Sequence, residues 1–149
     1  HRTWLAPDGQ DKASVEIPRR AMGHLLGNAV RIVPADQTLV LGEGIETMLS
    51  VREAVPSLPV WSALSSSHLG AVLLPDGLQR LYIAIDRDPA GQRAAERLTA
   101  RAIEAGIAVR VLEPQLGDFN DDLRAHGAKA LRQHLAQQID LKDQYRLTI

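Results

Sequence analysis

The chain has 149 residues, 45% of them apolar, no cysteine, and a formal net charge of -1 from 17 basic and 18 acidic side chains. That length suits one compact domain with a real core and leaves little room for a second; the missing cysteines exclude disulfides, thiolate zinc sites and thiol nucleophiles. The near-neutral balance excludes a protein that wraps nucleic acid by overall charge, so any such contact must come from a local patch. Fourteen of the seventeen basic residues are arginine, whose forked donors suit phosphate and carboxylate. No apolar run approaches the ~20 residues needed to span a bilayer, and HRTWLAPDG lacks the layout of a signal peptide. A reducing, cytoplasmic location is expected, and a start at His1 without methionine fits a piece of a longer protein.

Residues 1–36 read as an irregular entry segment, with TWL a short strand, PDGQ a turn, and RRAMGHLLGNA a short helix closed by Gly27. From Thr38 onward apolar strands alternate with amphipathic helices: TLVLG then IETMLSVREAV; PVWSAL then SSHLGAVLL up to Pro75; RLYIAI then PAGQRAAERLTARAIEAG; finally IAVRVLE. These alternations predict an α/β fold, an open, mostly parallel four-stranded sheet flanked by helices. Helix 89–105 carries its own boundary signals, with Asp88 as cap, Pro89 at the first position and Gly106 after the end. After Glu113 come the loop PQLGDFNDD, then LRAHG, then a helix AKALRQHLAQQI with Leu131, Leu135 and Ile139 on one stripe. DLKDQYRLTI reads as a tail or an extra edge strand. The expected division is an entry segment 1–36, a core 37–127, and a C-terminal helix and tail 128–149.

Ligands of an open parallel sheet bind at the carboxyl ends of its strands, where helix N-termini also point. Glu43 follows TLVLG and Asp86 follows RLYIAI, which places both on that rim. Asp86 and Asp88, with one residue between them, can leave a strand-like backbone on the same side. Two carboxylates held close repel unless a proton or a cation sits between them, and a hard divalent ion such as Mg2+ resolves that repulsion while keeping sites for phosphate oxygens. Helix capping stays open as the role of Asp88. Glu43 sits in GEGIET, where Gly44 permits close backbone approach beside a phosphate or metal. Glu46, Ser50 and Glu53 share the polar face of the next helix, while Thr47 points off that face toward the rim. Asp118, Asn120, Asp121 and Asp122 crowd the loop GDFNDD after the fourth strand; a capping role for Asn120 or Asp121 explains part of the cluster but not all of it. Three acidic sites after three strands of one sheet describe a metal-dependent phosphate site.

In order, spacing and strand context, Glu43-Gly44 and Asp86-Arg87-Asp88 resemble the signature of the toprim domain, the catalytic module of bacterial-type primases, topoisomerases, some nucleases and recombination-mediator proteins. The resemblance spans about residues 37 to 127. GEGIETMLS, AIDRDPAG and GDFNDDL are most similar to the primase-like toprim proteins of plasmids, phages and mobile elements, and HRTWLAPDGQDKA resembles the segment that precedes the core in that group. The resemblance implies a Rossmann-like toprim fold with Glu43 as general acid or base and Asp86 and Asp88 as ligands of Mg2+, with Mn2+ as a substitute. It places further metal-binding positions at Asp118 and Asn120, with Asp121 beside them; the asparagine offers an oxygen but no charge. Lys12, Arg19, Arg20 and Arg87 are candidates to meet phosphate or nucleic acid.

The implied activity is Mg2+-dependent phosphoryl or nucleotidyl transfer in a DNA-primase-like replication protein. Its partners would be a single-stranded DNA template, nucleotides, and a helicase or zinc-binding module in the full-length protein. A metal-dependent nuclease and a non-catalytic module that binds DNA or protein are the alternatives. A haloacid-dehalogenase-like phosphatase would carry its Asp-x-Asp after the first strand with a hydroxyl residue two positions on, where this chain has Ala90. The serines at 65–67 lack a Gly-x-Ser-x-Gly elbow and read as helix entry.

Overall fold

A computed structural model of the chain describes residues 2–148. The leader contributes β1 (Arg2–Thr3), β2 (Arg19–Arg20) and β3 (Val30–Arg31). The remainder runs β4 (Thr38–Gly42), α1 (Ile45–Ala54), β5 (Val60–Ser62), α2 (Ser66–Leu69), β6 (Arg80–Ala84), α3 (Pro89–Glu104), β7 (Ala108–Leu112) and α4 (Phe119–Gln138), then a 3-10 helix over Leu141–Leu147. β1 and β2 form a small antiparallel hairpin, and the main sheet has the order β3-β5-β4-β6-β7. Its last four members are parallel, and β3 lies antiparallel on the edge against β5. The α/β class and the mostly parallel sheet are as expected; the fifth strand is new. Two residues are too few for any period to announce a strand.

Because side chains alternate across a strand, consecutive apolar residues of the central strands feed two cores. Leu39, Leu41, Leu81 and Ile83 pack with Leu69, Ala94, Leu98 and Ala102 on the face covered by α2 and α3. Val40, Tyr82, Ala84 and Leu112 pack with Met48, Val51, Phe119, Leu131 and Leu135 on the face covered by α1 and α4. β4 is buried at every position, as a central parallel strand must be. α3 starts and ends where its own sequence dictates: the Asp88 side chain accepts from the Gly91 N–H, Pro89 opens the first turn, and Gly106 turns the chain with φ 77°. No helix among the described residues is long and apolar enough to cross a membrane.

Three segments depart from expectation. RRAMGHLLGNA forms no helix: its arginines are β2, Gly23 and Gly27 hold φ of 92° and 83°, and Met22 and Leu26 stand 84% and 72% exposed with no core to hold a helical stripe. SSHLGAVLL is helical only to Leu69. Beyond it Leu73 N–H donates to the Gly27 carbonyl at 2.9 Å, and Arg101 donates to the carbonyls of Gly70 and Val72, so those backbone groups bond outward instead of along a helix. LRAHG and AKALRQHLAQQI merge into α4, kinked at Gly127 (φ 79°, ψ 165°).

The C-terminal segment is neither a free tail nor an edge strand. Its 3-10 helix buries Asp143 completely at the start of the central strands. There the carboxylate accepts from Arg80 Nε at 2.7 Å and Nη2 at 2.9 Å, from Tyr82 Oη at 2.7 Å and from Thr38 Oγ1 at 3.2 Å. Burial pushes the Asp143 carboxyl up, but the donors Arg80, Tyr82 and Thr38 and the Arg80 charge outweigh it and hold it below the ordinary carboxylate range. A depressed carboxyl stabilises the fold above its unfolded value and loses that contribution as acid protonates the folded form. Asp143→Ala strands the Arg80 guanidinium and removes the anchor of the last helical turn, so urea denaturation should show a loss of about 3 kcal/mol. A loss under ~1 kcal/mol would mean the pair behaves as a surface ion pair.

Candidate metal and phosphate site

The parallel registers bring three strand ends to one rung, where Gly42 lies beside Ser62 and Ala84. A Cβ at Gly42 would stand 3.0 Å from the Ala84 carbonyl oxygen and collide with Met48 Sδ, so only glycine lets α1 settle on the sheet here. One residue further the chain presents Glu43, and two residues beyond Ala84 it presents Asp86. Gly91 performs the same service for α3, since a Cβ there would lie 2.9 Å from the Asp86 carbonyl oxygen.

Glu43, Asp86, Asp118 and Asn120 line one cavity of about 600 Å³ at this rim, with Lys12 and Arg19 reaching it from the leader and Arg124 from α4. Burial raises the Asp86 carboxyl to about 6, with the charges of Glu43, Asp118 and Asp88 adding to the rise and a hydrogen bond from Thr47 opposing it. The Glu43 carboxyl is also raised, first by burial, against a hydrogen bond from the Ser66 N–H and with a push from Asp88. Glu43 Oε2 and Asp86 Oδ1 are buried with no hydrogen-bond partner. Orphaned carboxylate oxygens in mutual repulsion are what a cation relieves.

The donor set fits a hard divalent ion that keeps much of its water, not a closed cage. Among the described residues no group of three or more histidine or acidic side chains is drawn together tightly enough to hold a metal by itself. Mg2+ ordinarily takes one or two protein carboxylates plus water and phosphate oxygens, and Asp86 and Asp118, both lining the cavity, offer two.

Other candidates have local duties. Asp88 Oδ1 accepts from Gly91 N–H at 2.7 Å as the cap of α3, and Asp88 does not line the cavity, although its charge reaches Glu43 and Asp86. Asp118 caps α4, with Oδ1 accepting from Asp121 N–H at 2.8 Å, and still faces the cavity. Asn120 Oδ1 lies 3.4 Å from Ser50 Oγ. Asp121 is exposed and outside the cavity. Arg19 pairs with Glu46 at 3.2 Å, tying the leader to α1. Arg20 lines a separate groove with Trp4, Val15 and Ile17, and Arg87 donates to the Gln115 carbonyl at 2.9 Å, away from the cavity.

Sequence reasoning did not single out Gly91, Arg124, or the Ser66 N–H on Glu43. A helix entry at the serines was the only available signal for the last. Asp122 proves structural: it is buried and accepts from the N–H groups of Gln115 and Leu116, both at 2.8 Å, which fixes the loop before α4. A second cavity of about 310 Å³ at the far end of β6 and β7 is lined by Arg80, Tyr82, Arg110 and Asp140. Its charges are already matched in the pairs Arg80–Asp143 and Arg110–Asp140.

In metal-free buffer the folded Asp86 holds its proton more tightly than the unfolded chain does. The folded state therefore carries extra protons between the ordinary 3.8 and about 6, and stability falls as pH rises through that window. Asp86→Asn should raise the melting temperature at pH 7.5 in EDTA and leave it nearly unchanged at pH 4. Equal effects at the two pH values would show that Asp86 ionises without strain.

A toprim-domain family model matches residues 38–129, and a model for a domain of unknown function matches residues 1–32. Among solved structures, the primase of Aquifex aeolicus (zinc-binding and RNA polymerase domains) aligns with a TM-score of 0.54 and 22% identity over 70% of this chain and 27% of its own. The primase fragment of the bacteriophage T7 primase-helicase aligns with a TM-score of 0.52 and 25% identity over 68% of this chain and 43% of its own. The chain thus spans less than half the length of either. No curated protein matches it in sequence.

Proposed function

The chain belongs to the toprim family, and from that premise we propose that it performs Mg2+-dependent phosphoryl or nucleotidyl transfer on nucleic acid as the catalytic toprim domain of a DNA-primase-like replication protein. The observation that carries the reading is the pair of buried, unpartnered oxygens, Glu43 Oε2 and Asp86 Oδ1, facing one cavity beneath Lys12 and Arg124. Mg2+ bound there, or Mn2+ in its place, supplies neutralisation and orientation of phosphate oxygens.

Phosphoryl transfer asks a protein chiefly for placement and charge balance. Asp86, with Asp118 and Asn120 across the cavity, holds the ion, and Asp88 adds charge from the cap of α3. Asp121 lies beside this set and strengthens its negative field. Glu43 takes the proton of the attacking hydroxyl or returns one to the leaving oxygen; its raised carboxyl brings it closer to the pH at which a general base works best. Lys12 and Arg19 of the leader meet phosphate on one side and Arg124 on the other, while Arg20 and Arg87 extend the basic surface outward. Residues 37–127 act as the chemical core, 1–36 as a wall of the cavity, and 128–149 as the brace that carries Asp143. A single-stranded template and nucleotides are the substrates. The T7 relative is a primase-helicase by name, and a helicase or zinc-binding module is the companion we expect within the full-length protein.

Saturating Mg2+ should raise the melting temperature of the wild type, and Asp86→Asn with Asp88→Asn should abolish the rise. Glu43→Gln, nearly isosteric, should keep the fold while cutting template-dependent oligonucleotide synthesis by about 10²- to 10³-fold. Metal-dependent cleavage without synthesis would make the protein a nuclease. Metal binding with neither activity, across several templates and both nucleotide types, would make it a non-catalytic module.

A further inference from the structure

Glu43 is gripped from a part of the chain that carries no acid. Ser62 Oγ, fully buried at the end of β5, donates to the Glu43 carbonyl at 2.8 Å. The Leu64 N–H donates to the same oxygen at 2.8 Å and lies 3.3 Å from Ser62 Oγ. Two residues later the Ser66 N–H favours the ionised Glu43 carboxylate. Ser62 and Leu64, two residues apart, therefore both bond the Glu43 carbonyl.

Backbone geometry makes that spacing work. Leu64 has φ 72° and is the one non-glycine in the left-handed region among the described residues. A branched aliphatic side chain gains nothing locally from that conformation, and the strain costs about 1–3 kcal/mol wherever it persists. Ala63 N–H still donates to the Gly42 carbonyl at 2.8 Å as the ladder ends, so the reversal at Leu64 turns the chain sharply back over the end of β4. That turns the chain toward the Glu43 side of the rim before α2 begins. Leu64 itself lines the cavity.

We infer that the turn Ser62–Ser66 is a positioning device for Glu43, with Ser62 its principal positioning residue. It fixes the Glu43 carbonyl through two donors, Ser62 Oγ and the Leu64 N–H, and so sets the direction in which the side chain leaves the backbone, with Oε2 free of any partner. This inference rests on Glu43 being the working acid or base proposed above.

The test uses synthesis kinetics of the wild-type chain and its variants, with Mg2+, single-stranded DNA and nucleoside triphosphates, alongside amide hydrogen exchange. Ser62→Ala should lower kcat roughly tenfold with KM for nucleotide within about twofold, and Ser62→Thr, which keeps the hydroxyl, should recover most of the loss. In a Glu43→Gln background the same Ser62→Ala change should cost no further activity, because both act through one group. By exchange, the Leu64 and Ser66 amides should be protected in the wild type, and Ser62→Ala should release them while Leu41 and Val60 keep their protection. An equal loss in both backgrounds, or unprotected Leu64 and Ser66 amides in the wild type, would overturn the inference; the exchange result decides alone if no turnover is found. If Ser62→Ala unfolds the chain, Leu64→Pro, which forbids a positive φ and removes the N–H, serves as the second variant, with the same expected loss of kcat and with release read at the Ser66 amide alone. Glu43→Gln at full activity would instead defeat the role assigned to Glu43, and is told apart because it needs no change at Ser62.

Discussion

The pairing of β4 with β6, in register from Thr38 beside Arg80 to Gly42 beside Ala84, sets two acids at the same end of two neighbouring strands, where the Glu43 charge adds to the rise of the Asp86 carboxyl. Backbone hydrogen bonds and two buried cores hold the strands, and the carboxylates must accept where the strands deliver them. Glycine at 42 and 91 lets α1 and α3 close down on that rim, which buries the carboxylates further and raises their proton affinity. Packing energy from the core is thereby converted into electrostatic tension at the rim.

The opposite end of the same strands is built on the reverse principle. Thr38, Arg80 and Tyr82 converge on Asp143, every oxygen is satisfied, and the carboxyl is held ionised. The C-terminal 3-10 helix contributes through this one anchor and through Arg146, whose guanidinium meets Asp36 at 2.7 Å. One pole of the sheet thus satisfies its carboxylate and is stabilising, while the other is left with orphaned carboxylate oxygens. Such a division is what a site for an exchangeable ion and substrate needs, since a rim that satisfied itself would have no affinity left to offer.

Much of this was legible in the sequence because the deciding signals are short-range. The four parallel strands show as apolar runs, α3 carries its cap, its proline and its closing glycine, and Glu43 and Asp86 betray themselves by following strands. What was not legible depends on distance along the chain. Asp143 finds Thr38 across 105 positions, so no local pattern distinguishes it from a tail acid. Met22, Leu25 and Leu26 have helical spacing, but the sheet offers them no groove, and the leader bends at Gly23 and turns at Gly27 instead. Among the acids of GDFNDD, the resemblance singled out Asp118, which faces the cavity, but gave Asp122 no role, because its tie to the preceding loop depends on how the first turn of α4 rotates it. The turn at Leu64 had no signal at all, since leucine is the last residue one would assign to a left-handed conformation.

The central claim is that the strand ends set one divalent-ion site at Asp86 and Asp118, beside Glu43. Paramagnetic broadening of backbone amide signals by substoichiometric Mn2+ tests it directly. The account predicts that the amides of residues 43–47, 86–88 and 118–120 broaden first and together, and that Asp86→Asn removes the effect at all three segments. Broadening centred on the exposed acids of α3, or spread evenly over the surface, would contradict it.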